Sequence, residues 1–206
     1  MQIDIFSDTV CPWCYLGKRR LELAVAARPH YDIRLKWRPF ELNPELPLDG
    51  VPRSSGGAES QAELERQGSA CGIPFRFELI QRIPNTRFSH LLIAFAARRG
   101  RGGAAKERIM RGYFEEGRDI GDVEELVQLG AEAGLPAGEA RRALIVRAGQ
   151  DGVVAAERHA HVLGITGVPT FILDGTYTLS GAQEVGTFTQ VLDQVADFAA
   201  AKGVTG

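Results

Sequence analysis

The most informative part of this 206-residue chain is residues 3–15, which read IDIFSDTVCPWCY. Ile3 and Ile5 share one face of a run bounded by Ser7, and this period of two predicts a short strand. Cys11 and Cys14 follow as a C-x-x-C pair, and apolar residues beyond them recur at helical spacing. The order of strand, cysteine pair and helix places Cys11 at the beginning of a helix.

A cysteine at the beginning of a helix is expected to be reactive. The thiolate is the nucleophilic form, and the unpaired N–H groups of a helix N-terminus lower the pKa of a thiol there. Pro12 suits the first helical position, because its φ is already helical and its missing N–H needs no partner. Cys14 lies one turn further in, within reach of a disulfide. We therefore expect Cys11 to exchange with substrate and Cys14 to resolve the mixed disulfide.

Two other interpretations of the cysteine pair stay open, a zinc site and a pair of buried cysteines that only pack. Zinc needs two further ligands. Cys71 is isolated, and His159 and His161 are two residues apart on a predicted helix, so their side chains diverge by about 200°. The spacing therefore favours redox chemistry, and we expect no bound metal.

The remaining pattern predicts an α/β domain in two halves. Residues 33–38 alternate as a second strand that ends at Pro39, which completes a β-α-β unit. Strand character returns at residues 170–173, followed by the hairpin signal Asp174-Gly175 and an amphipathic C-terminal helix. Between these halves the periods are helical. We predict an α/β domain formed by residues 1–42 and 164–206, with an all-helical insertion over residues 43–163.

Composition narrows the classes of partner. The chain is 44% hydrophobic, enough for a real core, and its 26 acidic residues nearly cancel its 24 basic ones. Without a basic block we expect neither nucleic acid nor a membrane surface as partner. The N-terminus lacks the pattern of a signal peptide, and no run of eighteen apolar residues occurs, so we expect a cytoplasmic protein.

A second motif, GITGVPT, occupies residues 164–170 immediately before the third strand. An X-Pro bond can be cis, and a cis Val168–Pro169 bond would turn the Val168 backbone outward as a pairing edge for an extended substrate. On these residues alone, a trans proline that begins an edge strand is the alternative.

These motifs together resemble the thioredoxin-fold DsbA family, in particular its cytosolic FrnE-like branch. The similarity lies in the cysteine stretch, in GVPTF at 167–171 and SGAQ at 180–183, and in segments 37–44 and 113–120. It implies a thioredoxin-like fold with a helical insertion, a cis proline and thiol–disulfide oxidoreductase activity, which is protein disulfide isomerase-like. The roles that it implies are catalysis by Cys11 and Cys14, and substrate binding by Pro12, Trp13, Val168 and Pro169.

A neighbouring branch provides the alternative function. The 2-hydroxychromene-2-carboxylate isomerases and kappa-class glutathione transferases share this architecture but look like Ser-Pro-Tyr-Ser at the cysteine motif. Asn85, Thr86 and His90 resemble positions near their substrate cleft, although a partly exposed helix face explains His90 equally well. We expect no tightly bound cofactor, glutathione as a candidate co-substrate, thiol or disulfide substrates, and leave a homodimer open.

Four other features are given minor roles. Asp8 is a candidate cap for the active helix. Cys71 is expected to be a small buried residue. Lys36 and Arg38 are expected to face solvent, with an influence on the Cys14 pKa as the alternative. The short Gly/Arg stretch at 98–103 is expected to be a solvated turn.

Overall fold

The computed structural model describes residues 1–53, 58–201 and 203. The elements in chain order are β1 (Gln2–Ser7), α1 (Pro12–Ala26), β2 (Arg34–Pro39), β3 (Val51–Pro52), α2 (Ala58–Ala70), a 3₁₀ turn (Phe77–Leu79), β4 (Arg82–Ile83), α3 (Arg87–Ala97), α4 (Gly102–Glu116), α5 (Val123–Glu132), α6 (Ala137–Ile145), α7 (Gln150–Val162), β5 (Thr170–Leu173), β6 (Tyr177–Ser180) and α8 (Val185–Ala201).

The central sheet has four strands in the order β2-β1-β5-β6. β1 pairs with β2 in parallel and with β5 in an antiparallel ladder, so the two ends of the chain meet at its middle. The hairpin between β5 and β6 turns at Asp174 and Gly175, whose φ angles are +45° and +69°. These positive angles explain why the Asp-Gly signal predicted this turn.

One face of the sheet packs against α1 and α8. The core there combines Ile3 and Ile5 of β1 with Leu21 of α1, Phe171 of β5 and Phe188 of α8. Because side chains alternate along a strand, the isoleucine period of two is what selects this face. This packing fixes the position of α1 against the sheet.

The second core lies between α1 and the helices of the middle segment. Tyr15 of α1 is fully buried and contacts the rings of Phe75 and Phe114, at centroid distances of 6.0 and 5.9 Å. The Tyr15 hydroxyl donates to Glu115, 2.8 Å away, and the buried Lys18 pairs with Glu107 of α4. Both rings and ion pairs therefore fasten α1 to the inserted helices.

The middle segment differs from the prediction in one detail. Helices dominate it, but β3 and β4 form a two-residue antiparallel pair, with Val51 opposite Ile83. The loop composition of residues 43–57 gave no period from which so short a strand could be predicted. The architecture is otherwise the predicted thioredoxin-like α/β fold with a helical insertion.

Two helices of the middle segment differ in how their N-termini are capped. Asp122 is the N-cap residue of α5, and its carboxylate accepts the N–H of Glu125 at 2.9 Å. Thr86 is the N-cap residue of α3 but makes no side-chain bond there, and Asn85 Oδ1 accepts the Arg87 N–H instead. Among the described residues, no helix is long and apolar enough to cross a bilayer.

Candidate active site

Cys11 is the N-cap residue of α1. Its backbone is extended, with φ −88° and ψ 112°, and Pro12 is the first helical residue. Its carbonyl accepts the N–H of Cys14 at 3.0 Å. Cys11 is 5% exposed and Cys14 is 1% exposed, and both are free thiols. The order of access agrees with the sequence prediction that Cys11 is the outer thiol.

The two thiols differ in acidity in opposite directions. A hydrogen bond from the Cys14 side chain lowers the pKa of Cys11 against the effect of burial, and the N–H groups of Cys14 and Trp13 lower it further. Burial raises the pKa of Cys14 well above its ordinary value, and the interaction with Cys11 adds to this rise. Cys11 is therefore the thiol that ionises first.

The loop before β5 faces Cys11. The Val168–Pro169 bond is cis, as the family resemblance implied, and Cys11 Sγ lies 3.8 Å from the Val168 carbonyl oxygen. These groups are 157 residues apart in sequence. Val168 is half-buried whereas Pro169 is buried, so the Val168 backbone is the accessible part of this loop.

Gly17 lets α1 approach that loop closely. A Cβ at Gly17 would lie 3.1 Å from Pro169 Cγ and 3.2 Å from Phe171 Cζ. Both distances are shorter than ordinary van der Waals contacts. The absence of a side chain at Gly17 therefore permits the spacing between α1 and Pro169.

A buried carboxylate lies beneath the cysteine pair. Asp8 is fully buried, and its oxygens accept the N–H groups of Thr9 at 2.6 Å and Leu42 at 2.7 Å. Nε2 of the buried His90 lies 3.4 Å from Asp8 Oδ1. Burial opposes ionisation of Asp8, but His90, the Leu42 N–H and the Lys106 charge hold its pKa below the usual range.

Asp8 does not cap α1, which corrects the sequence interpretation. The N-cap position belongs to Cys11, and no side chain caps this helix. The Asp8 carboxylate turns inward because its two oxygens are used by Leu42 and by the contact with His90. The carboxylate therefore links the end of β1 to the inserted helices and does not accept the free N–H groups at the beginning of α1.

Lys106 of α4 is the site residue that the sequence analysis missed. It is 1% exposed, and its Nζ donates to the Ser7 carbonyl at 3.4 Å, 99 residues away in sequence. Burial lowers the pKa of Lys106 to about 8, against the opposing effect of charges on Cys14 and Asp8. Its charge in turn lowers the pKa of Cys14.

A signal for Lys106 was present in the sequence. α4 buries Ile109, Met110 and Tyr113, and Lys106 precedes them at the spacing of the same helix face. A lysine on an apolar face is rarely buried without a partner. Lys36, considered as a charge near Cys14, is exposed, and Arg38 pairs with Asp4 at 2.6 Å.

A second group of charged side chains lies close enough to Asp8 to interact with it electrostatically. Arg87 of α3 pairs with Glu41, which follows β2, and lies 3.9 Å from Glu157 of α7. Burial and the neighbouring Glu41 raise the pKa of Glu157 to about 8. Glu157 is therefore protonated near neutral pH.

The structure brings only some of the predicted residues to Cys11. Trp13 is 38% exposed on the first turn of α1. Asn85 donates to the Leu46 carbonyl at 2.9 Å, and the Thr86 carbonyl accepts the Ser89 hydroxyl at 2.8 Å. Both are buried, so their polar groups hold loops in place. His90 is buried rather than partly exposed.

Two further observations concern cysteine and metal. Cys71 is half-buried in the turn after α2, where the sequence favoured a buried position. Within residues 1–53, 58–201 and 203, no three His, Cys, Asp or Glu side chains form a group that could hold a metal ion.

Comparison with known proteins assigns the class. A family model for the DSBA-like thioredoxin domain matches residues 2–193, and the chain belongs to this family. A curated relative, the uncharacterised protein YwbO of Bacillus subtilis (strain 168), is 31% identical over 195 residues, covering 93% of this chain and 96% of YwbO.

Solved structures show the same fold. A probable DsbA oxidoreductase from Streptomyces coelicolor is 40% identical with a TM-score of 0.85, covering 94% of this chain and 89% of that one. The cytosolic disulfide reductase DsbM of Pseudomonas aeruginosa, solved with GSH, is 23% identical with a TM-score of 0.71, covering 96% and 100%. A 2-hydroxychromene-2-carboxylate isomerase is 17% identical with a TM-score of 0.76, covering both chains fully. The last two likenesses concern the fold alone.

Proposed function

We propose that this DsbA-like protein is a thiol–disulfide oxidoreductase that acts through Cys11 and Cys14 on disulfides or thiols of proteins or small molecules. The observation that carries the proposal is the opposite acidity of the two thiols at the beginning of α1, with Cys11 lowered and Cys14 raised in pKa. A dithiol exchange needs an outer nucleophile and an inner thiol held in reserve.

Reduction of a substrate disulfide would proceed in two thiolate attacks. The Cys11 thiolate attacks one sulfur of a substrate disulfide, forms a mixed disulfide and expels the other sulfur as a thiolate. Cys14 then loses its proton and attacks the Cys11 sulfur, which releases the second substrate thiolate and leaves a Cys11–Cys14 disulfide. The substrate gains two electrons and the cysteine pair loses them. The reverse sequence oxidises a substrate dithiol.

The Val168 backbone supports a role in substrate binding. Its carbonyl lies 3.8 Å from Cys11 Sγ, and a cavity of about 350 Å³ lined by Val168 and Pro169 adjoins it. An extended substrate that pairs with the Val168 backbone would place its sulfur against Cys11. Trp13, exposed on the first turn of α1, would supply apolar contact to that substrate.

Glutathione is the proposed co-substrate that would reduce the protein again. Two glutathione thiols could reduce the Cys11–Cys14 disulfide, leaving oxidised glutathione. The fold relative DsbM was solved with GSH, which makes this thiol the first one to test. Reductant or oxidant behaviour depends on the reduction potential, about −270 mV in thioredoxin and about −120 mV in DsbA. A cytoplasmic location and the FrnE-like branch remain predictions.

A single-turnover experiment tests the proposal. The reduced Cys71→Ser protein, in which Cys11 and Cys14 are the remaining thiols, reacts with 5,5′-dithiobis(2-nitrobenzoate), and release of the coloured thiolate is followed by stopped flow. We expect two steps when both cysteines are present, because attack by Cys11 and resolution by Cys14 each release one thiolate. Cys14→Ser should give only the first step and accumulate a mixed disulfide visible by mass spectrometry. Normal release by Cys11→Ser would disprove the mechanism.

The alternative function, glutathione-dependent isomerisation, predicts a different effect of the cysteine variants. Glutathione-dependent isomerisation needs glutathione bound at the motif position and no net change in the redox state of the cysteines. Cys14→Ser would then keep its activity. Turnover of 2-hydroxychromene-2-carboxylate by both the wild type and Cys14→Ser would favour this function over disulfide exchange.

A further inference from the structure

A second binding region lies at the free edge of the sheet. A cleft of about 590 Å³ opens between β2 and the helices α3, α4 and α7, and neither Cys11 nor Val168 lines it. This volume is within the range of ligand pockets, about 300–1,000 Å³. The cleft therefore has to be considered apart from the cysteine chemistry.

The floor of the cleft is an unpaired strand edge. Among the described strands β2 pairs with β1 alone, in parallel, and the Arg34 N–H donates to the Met1 carbonyl at 2.9 Å. In a parallel pair every second residue bonds to the neighbour, so Arg34 and Lys36 face β1 with their backbone groups. The N–H and C=O groups of Leu35 and Trp37 face the cleft, where they can accept a further strand.

The walls of the cleft leave room for a backbone. A Cβ added at Gly152 of α7 or at Gly100 before α4 would meet no atom within 4 Å. A Cβ at Gly103 would lie 3.7 Å from Trp37 Nε1, so the indole N–H faces this space. That N–H has no hydrogen-bond acceptor in the part of the chain that the structure describes. The indole N–H and the outward backbone N–H groups of Leu35 and Trp37 are therefore the donors that the cleft offers to a ligand.

The charged side chains that line the cleft are positive. Of the described residues that line it, the charged ones are Lys36, Arg38 and Arg98, and none is Asp or Glu. Arg38 is paired with Asp4, whereas Lys36 and Arg98 have no carboxylate partner among the described residues. An acidic ligand would supply that partner.

We propose that this cleft binds an extended acidic segment of a partner protein, which adds as a strand to the outer edge of β2. Its backbone would pair with Leu35 and Trp37, and its carboxylates would contact Lys36 and Arg98. The five residues of β2 in the lining span about 16 Å, at about 3.3 Å each. A segment of about five residues fills this length, and its binding needs neither cysteine.

Peptide titration tests the inference on the full-length protein. The probe is acetyl-Val-Glu-Val-Glu-Val-amide, followed by amide NMR spectra and by Trp37 fluorescence in Trp13→Phe. We expect slowed exchange of the Leu35 and Trp37 amide protons and a saturable fluorescence change at about 1 mM peptide or below. The absence of both at that concentration overturns the proposal.

Two control ligands separate a strand from a simple anion. Acetyl-Val-Lys-Val-Lys-Val-amide has the same backbone and should bind at least about tenfold more weakly. Glutarate carries the charge without a peptide backbone and should not protect the Leu35 amide. Equal binding of the lysine peptide, or equal protection by glutarate, would contradict the proposal.

A matched pair of variants places the peptide in the cleft. Gly152→Gln puts a side chain into the cleft on a helix that tolerates it, and should weaken binding about tenfold. Gly186→Gln makes the same change on α8, where a Cβ also meets no atom within 4 Å, and should leave binding unchanged. Lys36→Glu combined with Arg98→Glu should reverse the preference between the two peptides. Equal affinity of Gly152→Gln and Gly186→Gln would overturn the assignment.

Discussion

The two sides of the cysteine pair are built from different parts of the chain. On the outer side, Cys11 faces the Val168 carbonyl, so two segments of the sheet domain meet there. On the inner side, Cys14 lies above a group in which His90 and Lys106 come from the inserted helices and Asp8 from the end of β1. A backbone carbonyl faces the outer thiol, whereas charged side chains lie near the inner thiol.

Under the proposed dithiol mechanism, the inserted helices would act on the second step of the exchange. Exchange at Cys11 needs only the helix start and an accessible backbone, whereas resolution needs Cys14 to ionise in a buried place. The Lys106 charge lowers the pKa of Cys14, and the buried Asp8 carries the opposite charge nearby. We infer that the insertion sets the rate of the second step.

The difference in alkylation between the two thiols should be the largest effect. Brief iodoacetamide treatment near pH 7 should label Cys11 far more than Cys14, since each unit of pKa difference changes the thiolate fraction about tenfold. Mass spectrometry of the digested protein measures the ratio, with the half-buried Cys71 as an internal reference. Preferential labelling of Cys14 would reverse the roles of the two sides.

Lys106→Met should affect the inner side only. Loss of the positive charge raises the pKa of Cys14, so the second thiolate release should slow about tenfold for each unit of that rise. The deficit should shrink above pH 8, because Lys106 itself loses its charge near its pKa of about 8 and Cys14 ionises more readily.

The matched control for Lys106→Met is Lys36→Met on the exposed edge of the sheet. It should leave both steps of thiolate release unchanged. If Lys106→Met slows the first step as much as the second, or slows the second equally at every pH, Lys106 has only a structural role.

Glu157→Gln should change the pH dependence of stability. The folded-state pKa of Glu157 is about 8 against an ordinary value of 4.5, so folding favours the protonated acid. Its contribution is fully present below about pH 4.5 and is lost as the pH rises through 8. The free energy of unfolding of the wild type should therefore fall across that window, and that of Glu157→Gln should fall less.

Urea unfolding from about pH 5 to about pH 8.5 measures this difference. Glu65→Gln, at an exposed position of α2, provides the control and should keep the wild-type profile. Parallel profiles for the wild type and Glu157→Gln would show that Glu157 does not keep its proton near neutral pH in the folded protein.

Asp122→Ala should have the smallest effect and should leave both sides of the cysteine pair alone. The variant loses the cap on the Glu125 N–H at the beginning of α5, which should lower the free energy of unfolding by about 1 kcal/mol. Asp122→Asn keeps the acceptor and should restore most of it. A change in the kinetics of thiolate release would show that α5 is coupled to the cysteines.

The sequence predicted the outer side well because its signals are local. Pro12 after Cys11 marks a helix start, and the run before residue 170 marks the loop that precedes a strand. The sequence alone did not place that loop against Cys11. The family resemblance supplied this contact, and the structure confirms it at 3.8 Å.

The inner side was predicted poorly. Asp8 was interpreted as a helix cap, and Lys106 was not considered. Both errors have the same origin, since hydrophobic periodicity shows which face of an element is buried but not which distant face it meets. A buried charge is stable only beside its partner, and here Asp8 and His90 are far apart in sequence.

The sequence by itself determined the helix that begins at the cysteine pair, the two halves of the sheet and the turn at Asp174-Gly175, because each depends on neighbours within a few residues. Tertiary structure decided which charges lie beneath Cys14, the approach of Val168 to Cys11 and the cleft beside β2. These depend on contacts such as the one between Lys106 and Ser7, across 99 residues, whose energy arises only when the chain has folded.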